Sequence, residues 1–212
     1  MTELAIEVAG VRVEPHAAVP TLVWSWRVVV PEGVRVHALA LRAQVRIEPG
    51  RRHYDAGEQD RLLTLFGPPG QWGASLHPFL WTHLDAMVAG FTTETVAEVP
   101  MSCTYDFEVA ASQYLHGLAG GAVPLTILFN GVVFTPGESG FCAEPIAWHV
   151  EARTTLPVQL WREMMDRYFP DQGWIRLGRA TIDRLRRYRT EQASATWEQA
   201  FASLLKQAGE DD

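Results

Sequence analysis

The stretch HPFLWTHLDAM, residues 77–87, sets two histidines and an aspartate among large apolar side chains. Imidazoles and carboxylates serve as metal ligands and as general acids or bases, so this stretch is the first candidate for a chemical site. On a helix, the six-residue spacing turns the rings of His77 and His83 about 120° apart. On a strand, the two rings share a face but lie about 20 Å apart. In neither structure can the pair hold one metal ion unaided, and we predict a packing segment, either helix or strand.

The other histidines and the two cysteines show no catalytic or metal-binding spacing. The sequence contains no HExxH, GxSxG or CxxC motif and no glycine-rich phosphate loop. Cys103 and Cys142 lie in predicted strands, where a cytosolic cysteine acts as a small hydrophobic residue. We therefore predict no catalytic residue, no metal site and no cofactor. The alternative is an enzyme whose site gathers His83, Asp85, His149 or the cysteines, because one sequence does not reveal spatial clusters.

The segment IRLGRATIDRLRRYR concentrates arginine in a chain that is acidic elsewhere. On a helix with Leu185 buried, Arg187 points about 160° away from the core, whereas Arg189 lies only about 40° from Leu185. We predict a partner-binding surface of four arginines: Arg179, Arg184, Arg186 and Arg187. Arginine is favoured for binding carboxylates at interfaces, which indicates a protein partner with an acidic surface. The alternatives are a solvated helix face that balances the acidic remainder, and RNA binding.

Composition excludes several classes of function. The chain has 212 residues, of which 47% are hydrophobic and 20% charged, as is typical of a globular protein with its own core. A formal net charge of −7 argues against general nucleic-acid binding, which requires a basic surface. We recognise no signal peptide, and no apolar run approaches the roughly eighteen residues of a membrane span. We expect a soluble cytoplasmic protein with no membrane partner.

The first half of the chain has the two-residue periodicity of β-strands. In TLVWSWRVVV, one face carries large apolar side chains: Leu22, Trp24, Trp26, Val28 and Val30. In HALALRAQVRIE, a second series is predicted to point inward: Leu39, Leu41, Ala43, Val45 and Ile47. The residues between them, such as Arg42 and Gln44, are predicted to face water. This alternation favours antiparallel sheets with one solvated face.

Later segments predict further strands. TTETVAEV precedes Pro100, and CTYDFEVAAS carries an alternating face of Cys103, Tyr105, Phe107, Val109 and Ala111. PLTILFNGVVFTP is apolar on both faces, which is typical of a central strand, yet its Asn130–Gly131 pair favours a hairpin. FCAEPIAWHVEA supplies a last strand, in which Pro145 indicates an edge or a bulge.

Helical signals appear in two regions. An Asp55-x-x-Glu58 capping box predicts a short helical insertion near residues 55–66. After residue 155 the periodicity becomes helical, and three helices are predicted: PVQLWREMMDRYF, about Arg179–Glu191, and a helix that begins at the Thr196-x-x-Gln199 box.

These segments predict an α+β fold. An antiparallel β-sandwich of about seven strands would occupy residues 1–152, with the helical insertion near 55–66. A C-terminal helical layer over residues 153–208 would pack on the sandwich, and residues 209–212 would form an acidic tail.

Several segments resemble an uncharacterised bacterial family, one of the domains of unknown function. They are RIEPGRRHYD, PFLWTH, CTYDFEVAASQYLHGL, VPLTILFNGVVFTP and ATWEQAFASLL. The resemblance spans nearly the whole chain. Members of that family occur in gene neighbourhoods of nickel–iron hydrogenases, which implies an accessory protein expressed with a hydrogenase. The family has no established catalytic residues, so the resemblance transfers none to this chain.

The missing motifs, the arginine segment and the eight tryptophans lead to one functional prediction. We predict a non-catalytic accessory protein that acts by protein–protein binding in assembly, scaffolding or regulation. The partner would be a hydrogenase subunit or maturation factor with an acidic surface. The alternatives are the enzyme described above and a chaperone-like holder that presents an apolar groove to an unfolded client.

Overall fold

The computed structural model describes residues 3–104, 106, 109–137, 140–170, 172 and 175–210. Its strands are β1 (Ala5–Val13), β2 (Thr21–Val29), β3 (Arg35–Ile47), β4 (Phe79–Thr92), β5 (Glu94–Ser102), β6 (Ala122–Gly137), β7 (Gly140–Pro145) and β8 (Glu151–Pro157). Its α-helices are α1 (Ala56–Arg61), α2 (Leu63–Phe66), α3 (Trp72–Ser75), α4 (Ala110–Gly117), α5 (Val158–Tyr168), α6 (Arg179–Glu191) and α7 (Trp197–Ala208). Short 3-10 turns cover Pro49–Arg51 and Pro69–Gln71. The chain divides into two compact units, Met1–Trp174 and Ile175–Asp212.

The eight described strands form two antiparallel sheets, which gives the α+β class. The first sheet has the order β1–β2–β5. In the second, β3 lies between β4 and β6, and both β7 and β8 pair with β6. Because β8 pairs with the first half of β6 and β7 with its second half, these two short strands follow one another along the same edge.

The inward faces predicted for β2 and β3 are confirmed. Leu22, Trp24, Trp26 and Val28 are fully buried in β2, and the five alternating residues from Leu39 to Ile47 are buried in β3. The two sheets meet across one core in a sandwich-like arrangement. Trp26 of the first sheet packs edge-on against Phe129 of the second, with ring centroids 5.0 Å apart. The alternation of side chains between the two faces of each strand therefore determines which of them fill the space between the sheets.

Two helices of the first unit complete this core. α4 contributes Tyr114 and Leu115, and α5 contributes Trp161, Met164 and Met165. The α5 residues recur at intervals of one, three and four, which places them on one side of the helix. Apolar periodicity thus predicted the helix itself, and the structure shows that its apolar side is the buried one.

The Asn130–Gly131 pair does not form a hairpin turn, so that alternative is wrong. Both residues lie inside β6, where Gly131 pairs with Leu41 of β3. A Cβ atom on Gly131 would lie 2.0 Å from the carbonyl oxygen of Ala40. Glycine is present here because the backbone of β3 approaches closely, and not because a turn requires it.

The strand predicted over CTYDFEVAAS is also wrong: β5 ends at Ser102, and neither Cys103 nor Thr104 lies in a strand. Tyr105 and Phe107 lie outside the described residues, but Ala111 lies in α4. Small residues in this region give a pattern that fits a strand and a short helix equally well. Packing of Tyr114 and Leu115 into the core selects the helix.

The last predicted strand is two strands. Pairing breaks after Pro145, and residues 147–149 leave the sheet before β8 begins. Pro145 stands opposite Val132 in the edge strand β7, as its proline predicted, and the Ile146 N–H still donates to the Gly131 carbonyl at 3.0 Å before the chain leaves the sheet. β8 continues to Pro157, past the predicted boundary at residue 152. Likewise β5 runs through Pro100 to Ser102, since an edge strand tolerates proline.

Candidate binding surface

The four arginines predicted to bind a partner all lie in α6, and all four are exposed. At about 100° per residue, Arg179, Arg184, Arg186 and Arg187 fall within an arc of about 160° around the helix axis. Arg186 pairs with Asp183 at 3.2 Å. The other three form no ion pair with any described residue. α6 thus presents a set of guanidinium groups, three of which have their charge uncompensated within the described chain. We call these four residues the arginine surface.

Arg189 differs from these four because it is held against α7. Its guanidinium lies 4.5 Å from the ring centroid of Trp197, a cation–π contact. Nearby, the Tyr188 hydroxyl lies 3.0 Å from the Ser203 hydroxyl, and the Gln207 amide donates to the same tyrosine oxygen at 3.1 Å. These contacts fix α6 against α7 and leave the arginine surface on the rest of the α6 circumference.

The opening candidate, HPFLWTHLDAM, forms most of β4, an edge strand of the second sheet. His83 and Asp85 share its outer face, where both are exposed. Asp85 lies 3.8 Å from Arg42, and His83 Nε2 lies 3.4 Å from the Gln44 amide nitrogen. The inward residues of β4 are Leu84 and Val88. The stretch is therefore one wall of the core, and its outer surface combines His83 and Asp85 with the exposed apolar side chains of Leu80 and Met87.

Of the residues named for the enzyme alternative, His83 and Asp85 share the outer face of β4, but no third candidate among the described residues joins them in a metal-binding group. His149 is exposed in the connection between β7 and β8, two residues before β8 begins. Cys103 is buried, as expected for a small hydrophobic residue, whereas Cys142 is exposed on β7, so that interpretation is wrong for Cys142; neither cysteine forms a disulfide. Burial raises the pKa of the Cys103 thiol to about 12, which keeps it protonated and unreactive at neutral pH. Among the described residues, no three His, Cys, Asp or Glu side chains group so as to hold a metal ion.

A groove of about 360 Å³ runs between the edge strands β4 and β5. It is lined by residues 85–89 and 95–100. Its charged side chains have partners elsewhere: Glu98 accepts from Arg12 at 2.9 Å and from Ser25 at 2.6 Å. Within the described sheets β4 pairs only with β3, and β5 only with β2. The groove therefore offers backbone edges rather than a converging set of catalytic side chains.

Sequence reasoning missed a buried polar cluster around α1. The Glu58 carboxylate accepts two hydrogen bonds from Arg52 Nη2, at 2.8 and 3.0 Å, and one from the Ala119 N–H at 2.8 Å. The guanidinium of Arg52 also lies 4.9 Å from the Tyr54 ring, whose hydroxyl is 2.7 Å from that of Tyr114. The capping box in the sequence identified Glu58 as a helix-capping residue. It did not predict that the same carboxylate also binds Arg52 and the Ala119 N–H. The cluster ties the helical insertion to the loop before β6.

A half-buried titratable group of this unit is His116, which packs edge-on against Trp161 with ring centroids 4.7 Å apart. Burial, assisted by the charge of Arg162, lowers the pKa of His116 to about 4. An unfolded histidine titrates near 6.5. Between these two values the unfolded chain binds a proton that the folded chain does not. Stability is therefore lost as the pH falls from about 6.5 to about 4.

We expect acidification from about pH 7 to about pH 5 to cost roughly 1–2 kcal/mol through His116, less than the full shift implies because the ring is partly exposed. The free energy of unfolding from urea titrations at both pH values measures this loss. His116→Gln is expected to reduce it, whereas His149→Gln, a change at an exposed ring, is expected to leave it intact. Equal pH dependence in all three proteins would contradict the assignment.

Together these features define a β-rich α+β protein whose candidate site is a charged surface. The chain belongs to DUF6084, a family of unknown function, which matches residues 1–212. A comparison with curated proteins finds no match. No helix in the described part of the chain is both long and apolar enough to cross a membrane.

Two solved structures show a distant likeness to the chain. One is the CARDB domain of a Pyrococcus furiosus protein in complex with di-metal ions, with 9% identity and a TM-score of 0.28 over 74% of this chain and 92% of that one. The other is a beta-glucosidase from Kluyveromyces marxianus, with 8% identity and a TM-score of 0.26 over 73% of this chain and 15% of that one. At these TM-scores neither likeness supports a functional argument.

Proposed function

We propose that this protein is a non-catalytic accessory protein that binds the acidic surface of a protein partner through the arginine surface. One observation carries the proposal: four exposed arginines lie on one side of α6, and three of them form no ion pair with a described residue. Guanidinium groups that have no such ion pair can form bidentate pairs with carboxylates of a partner without first breaking internal contacts.

The local charge of α6 supports the same conclusion. The helix carries five arginines against two carboxylates, Asp183 and Glu191, although the whole chain has a formal charge of −7. An acidic chain with one basic helix is steered toward acidic partners at that helix alone. Nucleic acid is the less suitable partner, because its phosphates would meet the acidic remainder of the surface.

The partner that we propose to test first is a hydrogenase subunit or a hydrogenase maturation factor. The support for it is the resemblance of the sequence to a family found beside nickel–iron hydrogenase genes. In this proposal a β-sandwich with C-terminal helices serves as the scaffold, and binding takes place in the cytoplasm. The role would be in assembly, scaffolding or regulation.

The test is a double charge reversal, Arg184→Glu with Arg187→Glu. These neighbours are three residues apart and exposed, so folding is expected to persist. The partner is captured from native extract with the tagged chain, identified and purified. Calorimetry is then expected to give a Kd raised about tenfold or more at low salt, and a smaller difference at high salt, where exposed charges are screened.

The matched control is Arg42→Glu with Arg153→Glu, which changes the net charge by the same amount. Both side chains lie on the second sheet and are 59% and 64% exposed. This variant is expected to bind the partner with nearly unchanged affinity. An α6 double variant that binds as tightly as the unmodified chain at every salt concentration would refute the proposal.

A further inference from the structure

α7 carries an exposed apolar stripe that is separate from the arginine surface. Trp197, Phe201 and Leu205 are 37%, 37% and 55% exposed and follow one another at four-residue intervals. The rings of Trp197 and Phe201 stack with centroids 6.1 Å apart. The neighbouring side of α7 faces inward: Ala200 is 2% exposed, and Ser203 contacts Tyr188 of α6. Arg189 of α6 covers one face of the Trp197 ring, and the rest of the stripe remains open after α6 and α7 have packed.

Beside the stripe runs a line of residues with opposite charges at its two ends. Glu198, Ala202 and Lys206 each follow a stripe residue by one position, and all three are exposed. Glu198 and Lys206 form no ion pair with a described residue. They cannot pair with each other, since eight residues of helix separate them by about 12 Å.

This pattern is complementary to itself when two copies of α7 lie antiparallel. With a two-fold axis near Phe201, Trp197 of one copy packs against Leu205 of the second copy, and the Phe201 rings meet at the centre. In antiparallel helices the equivalent flanks meet, so Glu198 of each copy faces Lys206 of the other. The small Ala202 side chains meet at the axis and allow close approach. A parallel arrangement would form neither ion pair.

We propose that α7 is a self-association surface, occupied by α7 of a second copy of this chain in antiparallel orientation. Together with α6 of each copy, the two helices form a four-helix arrangement. The arginine surface takes no part in this contact, so the two copies would present two such surfaces to a partner.

The expected dimer is weak. α7 has 12 residues and is about 18 Å long, and a stable interface commonly buries about 800 Å² on each side. One helix supplies less than that area. A Kd on the order of tens of micromolar is therefore expected, with the two ion pairs giving specificity for the antiparallel orientation.

The experiment is sedimentation velocity on the full chain from about 1 µM to about 200 µM at low salt. The unmodified chain is expected to shift from monomer to dimer over this range. Glu198→Lys and Lys206→Glu each place like charges across the axis, and each is expected to remain monomeric. An equimolar mixture of the two variants restores opposite charges at both contacts and is expected to dimerise again.

Thermal melts of each variant separate folding from association, because both substitutions oppose the helix dipole and cost about 0.3–1 kcal/mol within α7. The recovery in the mixture cannot arise from a folding defect. An unmodified chain that stays monomeric at about 200 µM would overturn the proposal and leave the stripe to a helix of another protein. Single variants that dimerise like the unmodified chain, or a mixture that fails to recover, would overturn it as well.

Discussion

Replacing Trp26 with arginine is expected to unfold the protein at room temperature. The Trp26 side chain is fully buried, and its ring lies 5.0 Å from that of Phe129 across the two sheets. Truncating such a tryptophan to alanine commonly costs about 3–5 kcal/mol, from a total stability of about 5–15 kcal/mol. Arginine adds a buried charge that no carboxylate in the contact can neutralise. The lost packing of the tryptophan and the buried charge of the arginine both destabilise the folded protein.

Circular dichroism and urea titration measure this loss. The matched change is Arg42→Gln on the outer face of β3, where the arginine side chain is 59% exposed and 3.8 Å from Asp85. It is expected to leave the melting temperature nearly unchanged, since exposed ion pairs contribute little. Similar damage from the two substitutions would contradict the assignment of inner and outer strand faces.

Removing the charge of Glu58 is expected to have the second largest effect. The side chains of Arg52 and Glu58 are 10% and 4% exposed, and the carboxylate also accepts from the Ala119 N–H. Glu58→Gln keeps the shape of the side chain but leaves the Arg52 guanidinium buried without a counter-charge. Breaking a buried pair in this way commonly costs about 3–5 kcal/mol.

A double substitution distinguishes the effect of the uncompensated Arg52 charge from any effect of Glu58→Gln on packing. Arg52→Gln combined with Glu58→Gln removes both charges, and it is expected to be more stable than Glu58→Gln alone. Arg27→Gln breaks a pair whose side chains are 46% and 53% exposed, and it is expected to leave the melting temperature nearly unchanged. Guanidine titrations of all four proteins test this order. A Glu58→Gln protein as stable as the Arg27→Gln protein would show that the buried pair contributes little.

Local periodicity predicted the strands and helices in which apolar residues gather on one side. Alternation in β2 and β3 identified their buried faces, and the three-to-four residue spacing identified α5, α6 and α7. In α6 the angular argument assumed a buried Leu185, which is wrong in that no residue of α6 is fully buried and Leu185 is half-buried, but the four arginines are exposed as it predicted. These predictions succeed because strand and helix geometry fix side-chain directions within a few residues.

Periodicity failed where a segment had no single apolar side or where small residues alternated. Asn130–Gly131 has the composition of a turn, yet the approach of the Ala40 carbonyl accounts for its glycine. The start of α4 alternates as a strand would, but packing of Tyr114 selects the helix. In both places a contact between distant segments outweighs the local preference.

The sequence by itself determined the faces of the main strands, the caps of α1 and α7, and the exposure of the arginine surface. Only the tertiary structure decided that β4 is an edge strand, that Glu58 binds Arg52 and the Ala119 N–H, and that three of the four arginines have no ion-pair partner among the described residues. The physical reason is the distance along the chain over which each property is determined. Side-chain direction depends on φ and ψ over a few residues, whereas the partner of a buried charge depends on how segments some sixty residues apart pack together.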